Sequence, residues 1–214
     1  MSRFSEESTV QKPLVRYASE VGWIPLSQEE ALTLRRGEGG LFFNRILEEK
    51  LIELNPGLVT ADNVNEILGR MEAVRNSIEG NAEMLAWMRG ERSIWDEKEQ
   101  RERNVTLIDF EGLNHGIRES HEKGEETRED RNVYHVTEEW QYTNGPETNR
   151  ADAMFLINGV PVAIVETKSA KKRDGMDEAL IQIRRYHRET PEMLTAPQVF
   201  DITHLIDFHY GATW

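Results

Sequence analysis

Asp152, Glu166 and Lys168 are the residues whose types and spacing could do chemistry together. Asp152-Ala-Met-Phe-Leu-Ile157 reads as a strand, Asn158-Gly159 is the strongest short hairpin signal, and Val160-Pro-Val-Ala-Ile-Val165 reads as the returning strand. The second strand runs into Glu166-Thr167-Lys168. Period-two alternation puts Val162, Ile164, Glu166 and Lys168 on one face, and Ala163, Val165 and Thr167 on the other. Two apolar residues followed by two charged ones take that face out of a core and into a polar pocket. A carboxylate and an ammonium two residues apart at a strand end can hold a metal and a water side by side. The spacing alone is common: acid-x-Lys also occurs at Glu48-Glu49-Lys50 and Asp96-Glu97-Lys98, both in helical, solvent-like contexts. The β-rich run and the acid at the far end of the paired strand set Glu166-x-Lys168 apart.

The register of that hairpin decides whether the site can exist. A two-residue turn at Asn158-Gly159 pairs 157 with 160 and sets Asp152 opposite Val165, facing away from Glu166. A three-residue loop, Ile157-Asn158-Gly159 with Gly159 left-handed in a bulge, pairs 156 with 160 and returns Asp152 to the face of Glu166 and Lys168. A slip of one residue moves every side chain to the other face. The chemistry therefore selects the longer loop, or else a bulge elsewhere in one strand.

Around the hairpin, Asp177–Glu189 reads as a helix bounded by Gly175 and Pro191, acidic at its start and basic near its end, which matches the helix dipole. Gln182 and Tyr186 share one of its faces at i and i+4. Arg185 and Arg188 lie on its polar flank. Residues 1–100 read as mainly helical, with apolar stripes through Leu14, Leu47, Ile67 and Leu85 and a plausible N-cap at 60–62. Val105–Phe110 and Asn132–Thr137 read as strands.

The 214 residues carry a net charge of −13, but residues 152–190 sum to +1, with bases clustered at Lys171-Lys172-Arg173 and at Arg184, Arg185 and Arg188. No cysteine is present, which excludes disulfide frameworks, thiol catalysis and Cys-ligated metals. No apolar run is long enough to span a bilayer and no secretory signal is visible, so the expected setting is cytoplasmic. The six histidines form no metal-binding pair with a helical Glu between them. There is no Gly-x-Ser-x-Gly elbow and no phosphate-binding Gly-x-x-x-x-Gly-Lys-Ser/Thr loop.

Taken together, Asn149-Arg150-Ala151-Asp152, the Phe155–Pro161 hairpin, Glu166-Thr167-Lys168 and Gln182-x-x-x-Tyr186 resemble the PD-(D/E)XK nuclease domain of type I restriction endonuclease R subunits. Segments at 81–90, 105–114 and 191–214 are similar as well. The resemblance implies an α/β fold, a restriction-endonuclease-like mixed sheet flanked by helices behind a helical N-terminal region. It implies one nuclease domain over 1–214, mainly helical over 1–100 with the catalytic sheet and helix core over 101–214, and either a fragment of a longer helicase-containing chain, the favoured reading, or a stand-alone relative; the motor of the longer chain would use ATP that this chain does not bind. Ala151 stands where the family commonly has Pro, and Thr167 where an apolar residue is more frequent; its side chain is expected to point away from the site. Asp152 and Glu166 would ligate Mg²⁺, which favours hard oxygen donors, with the Thr167 carbonyl as the family's third ligand. Lys168 would serve the attacking water, Gln182 and Tyr186 would brace the site or hold the DNA backbone, and Glu7 is a further acidic candidate. Lys171, Lys172, Arg173, Arg185 and Arg188 would meet DNA. The implied partners are DNA and the methylation and specificity subunits of a restriction-modification complex, with no membrane. The competing expectation is a catalytically silent DNA-binding or docking module that kept the fold.

Overall fold

A computed structural model describes residues 10–111, 129–168, 175–203 and 207–214. It shows the expected α/β class. Five helices come first: α1 (Lys12–Glu20), α2 (Gln28–Leu34), α3 (Asn44–Leu54), α4 (Val64–Glu72) and α5 (Ile78–Met88), with a short strand β1 (Ile24–Leu26) between the first two. A small hairpin, β2 (Ser93–Asp96) and β3 (Arg101–Asn104), precedes the strands β4 (Tyr134–Thr143), β5 (Thr148–Ile157) and β6 (Val160–Thr167). Helix α6 (Gly175–Glu189), a 3-10 turn (Pro191–Leu194), β7 (Val199–Thr203) and β8 (Phe208–Ala212) complete the chain.

The six-stranded sheet has the order β1-β4-β5-β6-β7-β8. β1 with β4 and β6 with β7 are parallel; the other pairs are antiparallel. Pro25 is tolerated in β1 because an edge strand leaves one side of its backbone unpaired. Helix α6 lays Ala179, Ile183 and Tyr186 on the sheet against Met154, Leu156, Ile164 and Ile202. Helices α3, α4 and α5 enclose a second apolar cluster through Leu47, Leu51, Ile67, Met71, Met84 and Trp87.

Two expectations fail here. Residues 93–100, read as part of a helical region, lie in the β2–β3 hairpin that spans 93–104. Val105–Phe110, read as a strand, pairs with none. Its Val105, Leu107 and Ile108 sink into the helical cluster, and two asparagines take the place of a neighbouring strand. Asn55 accepts from the Thr106 N–H (2.7 Å) and donates to the Thr106 carbonyl (2.8 Å), while Asn132 does the same for Asp109 (2.8 and 3.0 Å). The α4 N-cap is Asn63, just past the expected 60–62.

The β5–β6 hairpin corrects the preferred register. Its turn has two residues, Ile157 pairs with Val160, and Asn158 and Gly159 have φ 52° and 84°, the left-handed pair this tight turn demands. Asn158 is fully buried and donates to the Leu107 carbonyl (2.9 Å). Gly159 packs so closely that a Cβ would lie 2.8 Å from the Phe43 carbonyl. The compensation is a bulge: Leu156 pairs with Pro161 but Phe155 with Ala163, leaving Val162 as the extra residue. The longer loop is absent and the alternative bulge is present.

Candidate active site

Beyond the bulge the pairs run Met154–Ile164 and Ala153–Val165, so Asp152 falls opposite Glu166. The β5–β6 ladder ends there, while β6 continues along β7 to Thr167–Thr203. The strands part, and the Asp152 carboxylate fills the opening. Its Oδ2 accepts from the Thr167 N–H at 2.7 Å and from Thr167 Oγ1 at 3.0 Å. The Thr167 side chain, expected to point away, therefore holds the carboxylate. A carboxylate lying between two diverging strands can be reached from either face.

Glu166 has no solvent exposure. Its Oε1 accepts from the Tyr186 hydroxyl at 2.5 Å, and its Oε2 is buried with no hydrogen-bond partner among the described residues. The Lys168 ammonium stands 3.5 Å from Oε2 and donates to the Thr167 carbonyl at 2.9 Å. Burial pushes the Glu166 carboxyl up to about 8, and the charge on Asp152 pushes the same way; Tyr186 and Lys168 oppose them. Tyr186 lies within 2.6 Å of the Arg150 carbonyl and receives a hydrogen bond from Gln182 Nε2 at 2.8 Å. One hydroxyl proton cannot serve the Arg150 carbonyl and Glu166 at once; when Glu166 carries a proton it can instead donate to the Tyr186 oxygen, leaving the hydroxyl proton for the Arg150 carbonyl. Burial and the neighbouring carboxylate also hold the Tyr186 hydroxyl well above the ordinary tyrosine range.

The fold thus brings together Asp152, Glu166, Thr167, Lys168, Gln182 and Tyr186. Arg185 and Arg188 are exposed on α6; the Arg185 Nε stands 3.6 Å from Glu189. Glu7, Lys171, Lys172 and Arg173 lie outside the described residues. Sequence reasoning missed Gln11, whose Nε2 donates to the Asp152 carbonyl at 2.9 Å and to Glu139 Oε1 at 3.1 Å. It missed Glu139 too, a residue of β4 with φ 55°. Only the paired acids Glu138-Glu139 inside a strand-like run could have drawn attention to that position.

The donor set fits a hard divalent cation. The candidate donors at this strand end, the Asp152 and Glu166 carboxylates and the Thr167 carbonyl, are all oxygens, and one buried Glu166 oxygen accepts no hydrogen bond among the described residues, with the Lys168 ammonium 3.5 Å away. Among the described residues no third His, Cys, Asp or Glu joins them. No helix among these residues is long and apolar enough to cross a membrane.

Comparison with known proteins gives a consistent result. Residues 3–211 match the family described as type I restriction enzyme R protein N terminus. Two relatives from Methanocaldococcus jannaschii are named as type I restriction enzyme endonuclease subunits, MjaVIIP and MjaIXP. The first is 29% identical over 96 residues, covering 45% of this chain and 7% of the relative. The second is 30% identical over 118 residues, covering 53% of this chain and 10% of the relative. The matched stretches therefore span a tenth or less of the length of these relatives.

Proposed function

The chain belongs to the family of type I restriction enzyme R protein N termini, and from that premise we propose that it is the metal-dependent DNA endonuclease part of a type I restriction-modification complex. The observation that carries this reading is Glu166. A carboxylate with no exposure, one of whose oxygens accepts no hydrogen bond among the described residues and has the Lys168 ammonium 3.5 Å away, is costly to keep, and it stands with Asp152 and Lys168 in the pattern of a PD-(D/E)XK nuclease. Asp152, Glu166 and the Thr167 carbonyl hold Mg²⁺, and the bound cation supplies a polarised phosphate and a water of lowered pKa. The rest is the chain's own work. Lys168 orients the attacking water and places positive charge beside the phosphate. Tyr186 and Gln182 fix Glu166 from behind. Thr167 fixes Asp152 through two hydrogen bonds.

DNA is the substrate, and recruitment depends on partners in the cytoplasmic complex, the specificity and methylation subunits and the ATP-driven motor. A chain of net charge −13 holds DNA weakly by itself, since phosphate contacts dominate such affinity. Lys171, Lys172, Arg173, Arg185 and Arg188 supply the contacts it has.

The test is replacement of Asp152, Glu166 or Lys168 by Ala in the parent complex. Cleavage of unmethylated plasmid is expected to vanish while ATP hydrolysis and DNA binding persist. A Lys168→Ala complex that linearised plasmid at the parental rate would sink the assignment.

A further inference from the structure

Asp152 sits where the sheet is least able to hold it. On one side the β5–β6 ladder stops at Ala153–Val165; on the other, the β4–β5 ladder skips the Glu139–Asp152 pair between Glu138–Ala153 and Trp140–Ala151. The skip coincides with a reversal of faces. The ring of Phe43 touches both His135 (5.7 Å) and Trp140 (5.9 Å), although strict alternation would put residues five apart on opposite faces. Across the pair, Ala151 and Met154 share one apolar cluster despite their odd separation. The residue at the reversal is Glu139, a non-glycine held at φ 55° inside a strand, a conformation that costs free energy and concentrates at functional sites.

We propose that Glu139 is a positioning residue for Asp152, a role that bears on catalysis only through the nuclease reading above. Its left-handed backbone makes the turn that frees Asp152 from the ladder. Its carboxylate then secures the freed peptide through Gln11, which is 3% exposed and bridges Glu139 Oε1 to the Asp152 carbonyl. The other carboxylate oxygen pairs with the Arg150 guanidinium, two residues before Asp152. The chain of contacts runs from α1 through β4 to the carboxylate that accepts from Thr167.

The readout is amide hydrogen exchange at Thr167 in the metal-free chain, because that N–H donates to Asp152 Oδ2. The Val105 amide, bonded to the Arg92 carbonyl at 2.8 Å, serves as the control for general loosening. In Glu139→Ala and in Gln11→Ala, Thr167 should exchange at least tenfold faster with Val105 unchanged; in Glu139→Gln, which keeps the acceptor for Gln11, it should stay within about twofold of wild type. Glu139→Gly should exchange as Glu139→Ala does but melt at a higher temperature, since glycine takes a positive φ freely. Thr167 exchange that is unchanged in both alanine variants, or that rises only in step with Val105, overturns the proposal. A Glu139→Gly midpoint no higher than that of Glu139→Ala overturns its backbone half. Mn²⁺ added to the wild type separates the two readings. If Thr167 exchange responds as stated and yet Mn²⁺ leaves the Thr167 resonance unbroadened, positioning stands and the nuclease reading falls.

Discussion

Replacing Glu166 by Gln should stabilise the metal-free chain at alkaline pH and remove most of its pH dependence between 5 and 8. The carboxyl is raised from an ordinary 4.5 to about 8 by burial and by Asp152. Below pH 4.5 it is neutral whether the chain is folded or not, and it contributes nothing. Between 4.5 and about 8 the unfolded chain has released the proton and the folded chain retains it, so stability falls as pH rises. Above 8 both states are ionised and the loss is complete. At about 1.4 kcal/mol per unit the full penalty is of order 5 kcal/mol, and the part between pH 5.5 and 8 is about 3 kcal/mol. Domains of ordinary stability have only about 5–15 kcal/mol in total. Burial holds the His135 and His187 imidazoles below their ordinary range, which works in the opposite direction near pH 6. Comparing the two proteins cancels it. Urea unfolding in EDTA at pH 5.5 and 8.0 gives the answer: wild type should lose about 3 kcal/mol across the interval and Glu166→Gln less than about 1. Equal losses in the two proteins would show that Glu166 ionises without cost, and the argument for a site waiting on a cation would collapse with it.

Other outcomes follow from the same geometry. Lys168→Met should bind Mn²⁺ several-fold more tightly by calorimetry while cleavage is lost, because the ammonium now contacts the Thr167 carbonyl and neighbours Glu166 Oε2; weaker binding would show that Lys168 helps to seat the ion. Gly159→Ala should cost about 1–3 kcal/mol by chemical denaturation, from its positive φ and the 2.8 Å approach of Phe43. The isolated chain should bind duplex DNA weakly, with an affinity that falls steeply with salt and falls further on charge reversal at Lys171, Lys172, Arg173, Arg185 and Arg188; tight binding that survives raised salt would contradict this.

Much of the site was readable because its chemistry is local. Asp152, Glu166 and Lys168 lie on one hairpin whose turn residues announce themselves, and Gln182 and Tyr186 meet because four residues make about one helical turn. What supports them was not readable. Gln11 reaches Asp152 across 141 residues of sequence, and nothing about a glutamine beside a helix start foretells that. The alternation of residues 134–143 is broken only at the acid pair Glu138-Glu139, and nothing in that pair says that Glu139 takes a positive φ and reverses the faces. Val105–Phe110 has the composition of a strand, but two asparagines supplied hydrogen bonds that a neighbouring strand would otherwise have to supply. Helices α3–α5 were legible from apolar spacing since their packing follows from one stripe each. β7 and β8 went unread: their five-residue spans mix Phe, Asp, His and Gly, and β7 owes its place to pairing with β6.

The extra residue at Val162 obeys an arithmetic of odd and even. With a two-residue turn, residues that oppose one another are separated by an odd number, as 157 and 160 are. Asp152 and Glu166 are 14 apart, an even number, so the hairpin needs an odd number of unpaired residues to bring them to one face. A relative whose two carboxylates are an odd number apart would need none, or two. Deleting Val162 alone makes that separation 13, so a regular hairpin without the bulge should still set Asp152 opposite Glu166. Single insertions or deletions that leave the bulge in place should therefore be far more damaging than double ones, even where the double change adds more bulk.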